Sequence, residues 1–169
     1  ILTNMEIQAL VDRTLTHGGH VSYKTNQDGS KSVYELNITL FDALNHPDQP
    51  EPQRDVKRFL ASQAIMLALA GVPGVYVHSL FGSRNCHTCV EKTGRARSIN
   101  REKFRREELE SALAAPESLT ARVYNGYAQL LSVRRKHPSF HPQGPQAIVS
   151  LHEQVFALLR TAPDQSEQI

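Results

Sequence analysis

Residues 54–78 restrict the possible folds of this chain more than any other stretch. Residues 54–70 are rich in Ala, Leu and Ile, and Gly71, with Pro73 behind it, ends the helix that such a composition favours. Val72 and Val75-Tyr76-Val77 then form a short continuous apolar run. A run of that kind suits a strand buried on both faces, as in a parallel sheet packed beneath helices. A long polar stretch, 79–101, comes next and reads as a loop. Helix, tight turn, buried strand and long loop, in that order, is the grammar of an α/β barrel or a doubly wound sheet.

The flanking segments agree with that class. Thr3 and Glu6 have the spacing of a capping box, and Ile7, Leu10, Val11 and Leu15 mark one apolar face of a helix that Gly18-Gly19 ends. Val21 and Tyr23 lead into Asn26-Gln27-Asp28-Gly29, and Val33, Tyr34, Leu36 and Ile38 lead out, which predicts a hairpin-like excursion. Residues 46–52 carry Pro47, Pro50 and Pro52 and read as loop. Two further helices are expected, one over 105–115 and one after Pro116. The second carries Leu119, Val123, Tyr127, Leu130 and Leu131 on one face and ends in Arg134-Arg135-Lys136-His137. Cations there suit the negative end of a helix dipole. Ile148-Val149 and residues 155–159 look like antiparallel strands, so the pattern divides the chain into 1–142 and a new β-domain over 143–169.

Composition narrows the function classes. With 40% hydrophobic and 21% charged residues and a net charge of +2, the chain suits a soluble globular domain and not a general nucleic-acid binder. No apolar run approaches the ~20 residues of a membrane helix, and no export signal opens the chain; with two cysteines and no others to build a framework, a cytoplasmic, thiol-tolerant setting is expected. Ile1, with no initiator Met, and Ile169, where a strand is getting under way, both read as cuts.

Candidate chemistry is concentrated in 78–101. His78, Ser79, Ser83, Arg84, Asn85, Arg95, Arg97 and Asn100 are donors suited to hydroxyls and phosphate oxygens, and such a loop lies where α/β folds bind ligands. A solvated loop with arginines paired to nearby carboxylates is the plainer alternative. Cys86-His87-Thr88-Cys89 has no second Cys pair to complete a zinc site, and His17, His20 and His46 have no spacing that demands convergence, so two free thiols and no metal are expected. The basic residues between Arg95 and Arg106 meet Glu107, Glu108 and Glu110 at once, which favours surface ion pairs over a nucleic-acid patch. None of Asp12, Asp28, Asp42, Asp48 or Asp55 falls at a recognisable acid/base pair.

Five ordered motifs carry a resemblance. They are Tyr34-Glu35-Leu36-Asn37-Ile38-Thr39-Leu40-Phe41-Asp42-Ala43-Leu44, Phe59-Leu60-Ala61-Ser62-Gln63, Gly71-Val72-Pro73-Gly74-Val75-Tyr76, Gly82-Ser83-Arg84-Asn85, and the run from Lys92 through Arg97-Ser98-Ile99-Asn100 to Arg101. In order and spacing the set resembles the sucrose-phosphorylase-like subgroup of glycoside hydrolase family 13, the α-amylase clan, over nearly the whole chain. The resemblance implies the C-terminal part of a (β/α)₈ TIM barrel followed by the start of a small antiparallel β-domain. It also implies a retaining double displacement that moves a glucosyl unit from sucrose, or a relative such as glucosylglycerate, to phosphate, giving α-glucose 1-phosphate. A glucosidase or transglucosylase of the same clan, or a fragment with no activity of its own, is the alternative.

The catalytic Asp and Glu pair that such chemistry needs would lie outside this chain, with a third Asp shortly before Ile1. By the same resemblance Arg97 lines the glucose subsite, while Tyr34 and Glu35 lie on a loop lining the acceptor side. A core aromatic is an equal reading for Tyr34. Two positions depart from the family pattern: Glu35, often Gln, and Cys86, where relatives carry Asp. A carboxylate at 35 would repel phosphate, so acceptor identity is open. No cofactor beyond phosphate as co-substrate is implied. The expected partners are a small sugar and phosphate, with neither nucleic acid nor membrane, and the full-length parent could form a homodimer.

Overall fold

The computed structural model describes residues 2–169; Ile1, where the sequence suggests a cut, lies outside them. The chain is a mixed α/β arrangement with two small antiparallel sheets. Helix α1 (Asn4–Thr16) begins at the expected capping box, with the Thr3 hydroxyl and the Glu6 carboxylate each satisfying a backbone N–H at the helix start. Strands β1 (His20–Thr25) and β2 (Lys31–Asn37) form the predicted hairpin about Asn26–Gly29, paired from His20 with Asn37 to Thr25 with Lys31 and interrupted by an irregularity at Ser22/Tyr23. A short helix α2 (Leu40–Leu44) follows, capped by the Thr39 hydroxyl.

The long helix α3 (Pro52–Ala68) starts two residues before the sequence suggests, because Pro52 occupies its first turn, where a missing N–H costs nothing. It packs against α7 (Leu119–Lys136). Phe41, Val56, Phe59, Leu67, Val123 and Tyr127 form the buried core between them. Each such side chain contributes about 1.5–3 kcal/mol when taken fully out of water. Gly126 sits in the middle of α7, where glycine costs about 1 kcal/mol relative to alanine. A Cβ at that position would collide with Leu60 Cδ1 of α3, so any larger residue there requires the Leu60 side chain to move.

The run 72–77 departs from expectation. Residues 72–76 form no strand, Val77 opens the short helix α4 (Val77–Leu80), and Val72 is 82% exposed. The backbone at Tyr76 is extended, with φ −79° and ψ 134°. A parallel strand, however, exists only when neighbours accept its ladder of hydrogen bonds, and among the described residues both sheets are self-contained hairpins. The stretch 79–101 is likewise more ordered than a loop. It contains α5 (His87–Thr93), closed by Gly94 at φ 65°, and a 3₁₀ helix at Ala96–Asn100. The apolar face read for α1 is largely uncovered: Val11 is buried beside Thr14, while Leu10 and Leu15 are exposed.

Helix α6 (Arg106–Ala114) precedes α7 as expected, and β3 (Gln146–His152) pairs antiparallel with β4 (Val155–Arg160). Two arginines join this hairpin to the helices. Arg160, 1% exposed, donates to the carbonyls of Ala68, His141 and Gly144. Arg134 donates to those of Leu67 and Gly71. Arg134, one of the cations that the sequence places at the end of α7, thus also serves the C-terminal end of α3, the negative end of its dipole. Burial lowers the pKa of Arg160, and burial together with the neighbouring Arg160 charge lowers that of Arg134. Among the described residues no helix is long and apolar enough to cross a membrane.

Candidate functional site

Strand β2 presents Tyr34 and Glu35 to opposite faces of its hairpin, since successive side chains alternate. Glu35 meets Arg97 of the 3₁₀ helix, with Arg97 Nη2 donating to Glu35 Oε1 at 3.0 Å. The hydrogen bond and charge of Glu35 hold the guanidinium even more firmly protonated than usual. Arg97 remains 52% exposed at its side chain, so the pair stands at the surface with donor groups to spare. Tyr34 is 65% exposed and packs in no core among the described residues.

Residues three apart eclipse on a 3₁₀ helix, so Asn100 shares the Arg97 side of the turn. Asn100 reaches Ile38 through its amide, Nδ2 to carbonyl oxygen at 3.4 Å, and its own carbonyl accepts from the Tyr76 hydroxyl at 2.9 Å. These residues help to close a cleft of about 180 Å³, lined on its polar side by Thr39, His78, Ser79 and Ser83 and floored by Phe41 and Phe59. His78 is buried, stands 5.1 Å from the Tyr76 ring and 4.9 Å from Phe104, and shares a 3.1 Å hydrogen bond between Nδ1 and the Ser83 hydroxyl. Burial pushes its pKa below the ordinary histidine value, with Glu102 pulling partly the other way. The cleft therefore offers hydroxyl, amide and imidazole groups, and among the described residues its lining contains no Asp or Glu.

Behind the pair lies a network that the sequence reading left as scattered residues. Asp42, 2% exposed, accepts from Arg84 Nε and from the Asn85 backbone N–H at 2.6 Å. Asn85 in turn accepts from the Thr39 N–H at 2.9 Å and donates to the His17 carbonyl at 3.2 Å. Gly82, at φ 63°, faces Val123 so closely that a Cβ would lie 2.8 Å from its Cγ2. The available signal for these residues was that Asp42, Gly82 and Asn85 all fall inside the recognised motifs.

The two cysteines are not free thiols. Cys86 caps α5 and Cys89 follows within its first turn, which places their Cα atoms 5.2 Å apart, and the sulfurs are bonded. The expectation failed because a helical start at 87 brings residues three apart onto one face, and the sequence reads as loop there. His17 and His46 do come together, with ring centroids at 5.0 Å, but no group of three or more His, Cys, Asp or Glu among the described residues could hold a metal ion. The basic stretch forms ion pairs: besides Arg97 with Glu35, Arg106 meets Glu110 at 2.7 Å and Arg105 meets Glu108 at 4.0 Å.

Proteins that resemble this chain include phosphorylases of glucosides. It is 48% identical to a glucosylglycerate phosphorylase of Allomeiothermus silvanus over 98% of its length, and 44% identical to one of Spirochaeta thermophila over 100%. Its identity to the glucosylglycerate phosphorylase of Escherichia coli is 36% over 97%. The chain spans 30%, 28% and 29% of those three relatives respectively. A sucrose 6F-phosphate phosphorylase from Thermoanaerobacter thermosaccharolyticum shares its fold, with a TM-score of 0.76 at 23% identity over 96% of this chain and 31% of that one. No family model matches the chain. The chain belongs to the sucrose-phosphorylase-like subgroup of glycoside hydrolase family 13.

Proposed function

We propose that this chain forms the C-terminal part of the (β/α)₈ barrel, over 1–142, and the start of a small β-domain, over 143–169, of a cytoplasmic α-glucoside phosphorylase. The parent transfers a glucosyl unit from glucosylglycerate, or a related glucoside such as sucrose, to inorganic phosphate and yields α-glucose 1-phosphate. Identity of 48% across 98% of the chain to a glucosylglycerate phosphorylase carries this reading. Residues 72–76 pair with no strand and the backbone at Tyr76 is extended, which supports the barrel placement, since flanking strands of the parent would pair with such a run.

In this reading Arg97 holds hydroxyls of the glucosyl unit through the donors that Glu35 does not use, and Tyr34 lines the acceptor side. The ion pair with Arg97 offsets the repulsion that a free Glu35 carboxylate would exert on phosphate. The nucleophile and the acid/base residue come from the rest of the parent, so the 169-residue chain alone is catalytically silent.

The test supplies the full-length enzyme with glucosylglycerate, sucrose and phosphate and measures α-glucose 1-phosphate. Arg97→Ala is expected to lower kcat/KM for the glucoside about 10- to 100-fold, the value of charged hydrogen bonds lost. Release of free glucose with no sugar phosphate would make the parent a hydrolase and overturn the proposal.

A further inference from the structure

We propose that Asp42, together with Asn85, is a positioning residue that sets the reach of Arg97 into the sugar site; this rests on the reading of Arg97 as a glucosyl contact. The pair Arg97–Glu35 joins two segments far apart in sequence, β2 with the turn behind it and the stretch from Gly82 to the 3₁₀ helix. Asp42 and Asn85 bind those segments to each other at a second place, besides the bond from the Asn100 amide to the Ile38 carbonyl. The Asp42 carboxylate takes the Asn85 N–H at 2.6 Å and Arg84 Nε, and the Asn85 side-chain oxygen takes the Thr39 N–H at 2.9 Å. His17 completes the set, with Nδ1 2.6 Å from the Asp42 carbonyl oxygen and its own carbonyl accepting from Asn85 Nδ2.

One residue further on, the Cys86 N–H donates to the carbonyl of Ile99 at 2.8 Å. Ile99 is fully buried and lies two residues from Arg97 on the same short helix. A displacement at Asn85 is therefore handed through Cys86 and Ile99 to the guanidinium, whose other fixed point is Glu35. A buried carboxylate is an expensive way to hold two segments together, since apolar contacts of similar volume do so at least as well. What hydrogen bonds add is direction, and with it a single register between the two loops.

The experiment is a double-mutant cycle in the full-length phosphorylase, read as calorimetric affinity for a glucose-mimicking iminosugar. Asp42→Asn keeps the shape and removes the charge. It should weaken binding about tenfold when Arg97 is present and less than about twofold in an Arg97→Ala background, because a residue that acts through Arg97 has nothing left to position. Equal effects in both backgrounds, or no effect in either, would reduce Asp42 to a structural role and overturn the proposal. If Arg97→Ala itself leaves binding unchanged, the reading of Arg97 fails first, and that result is separate. Should Asp42→Asn not fold, Asn85→Ala, which keeps the backbone N–H, goes through the same cycle with the same expected outcomes.

Discussion

Tyr127 and Gln63 give the sharpest test of how the helical core is held. Tyr127 is fully buried and Gln63 is 3% exposed, and the Tyr127 hydroxyl donates to Gln63 Oε1 at 2.7 Å across the α3–α7 contact. Burial also raises the pKa of the phenol, which favours its donor form. Tyr127→Phe leaves a buried amide oxygen without its partner, at a cost of about 1–3 kcal/mol. Gln63→Leu does the same to the phenol, again at about 1–3 kcal/mol; Ser62, which now receives the Gln63 amide, still donates to the Phe59 carbonyl. The double variant removes donor and acceptor together, keeps the volume, and should cost less than about 1 kcal/mol.

Urea titration followed by circular dichroism at low protein concentration measures all four corners of the cycle. A loss of about 2 kcal/mol moves the midpoint by about 1 M urea and the melting temperature by roughly 4–8 °C for a chain of this size. The coupling, the sum of the single costs less that of the double variant, should be at least about 1 kcal/mol. Additive single-variant costs would refute the reasoning, because two independent groups would then be solvated separately. So would a neutral Tyr127→Phe.

Three further outcomes are expected. Gly82→Ala should destabilise the chain by about 2–4 kcal/mol in the same titration, combining a left-handed φ with the close Val123 contact; Val123→Ala should relieve only the contact share, and full rescue would show the backbone to be unstrained. The Cys86–Cys89 bond predicts that an alkylating reagent adds nothing to the unreduced protein at these positions and two groups after reduction, read by mass spectrometry; labelling of both thiols without reductant contradicts the pairing. Glu167 accepts from Ser139 and shares a hydrogen bond with His137, and these bonds, His137 first, hold its pKa below the ordinary value. Because the folded value is depressed, this tether is complete above the usual glutamate pKa of about 4.3 and is lost as pH falls through the lower folded value. The Ser139 amide shift should therefore titrate with a midpoint below that of a free glutamate, and a midpoint at or above it would sink the assignment.

What could be read from residue order was whatever depends on near neighbours. The Thr3–Glu6 capping box, the turn at Asn26–Gly29, helices α6 and α7 and the antiparallel β3–β4 pair all follow from signals a few residues wide, because backbone propensity, caps and turns act over that range. The ordered motifs added the family, and Arg97 and Glu35 were named from them without any indication that they would touch. Contacts between distant segments were another matter. Residues 72–77 have the composition of a strand, yet a strand needs a partner's N–H and C=O groups, and none of the described residues supplies them. Asp42 and Gln63 look like ordinary polar residues until Asn85 and Tyr127 arrive from more than forty residues away to make their burial tolerable. Arg160 reads as the end of a strand, and only the carbonyls gathered from Ala68, His141 and Gly144 explain why a guanidinium can lie at 1% exposure. The physical reason is common to all three: burying a polar group is costly unless most of its partners are in place, and those partners are chosen by the path of the whole chain.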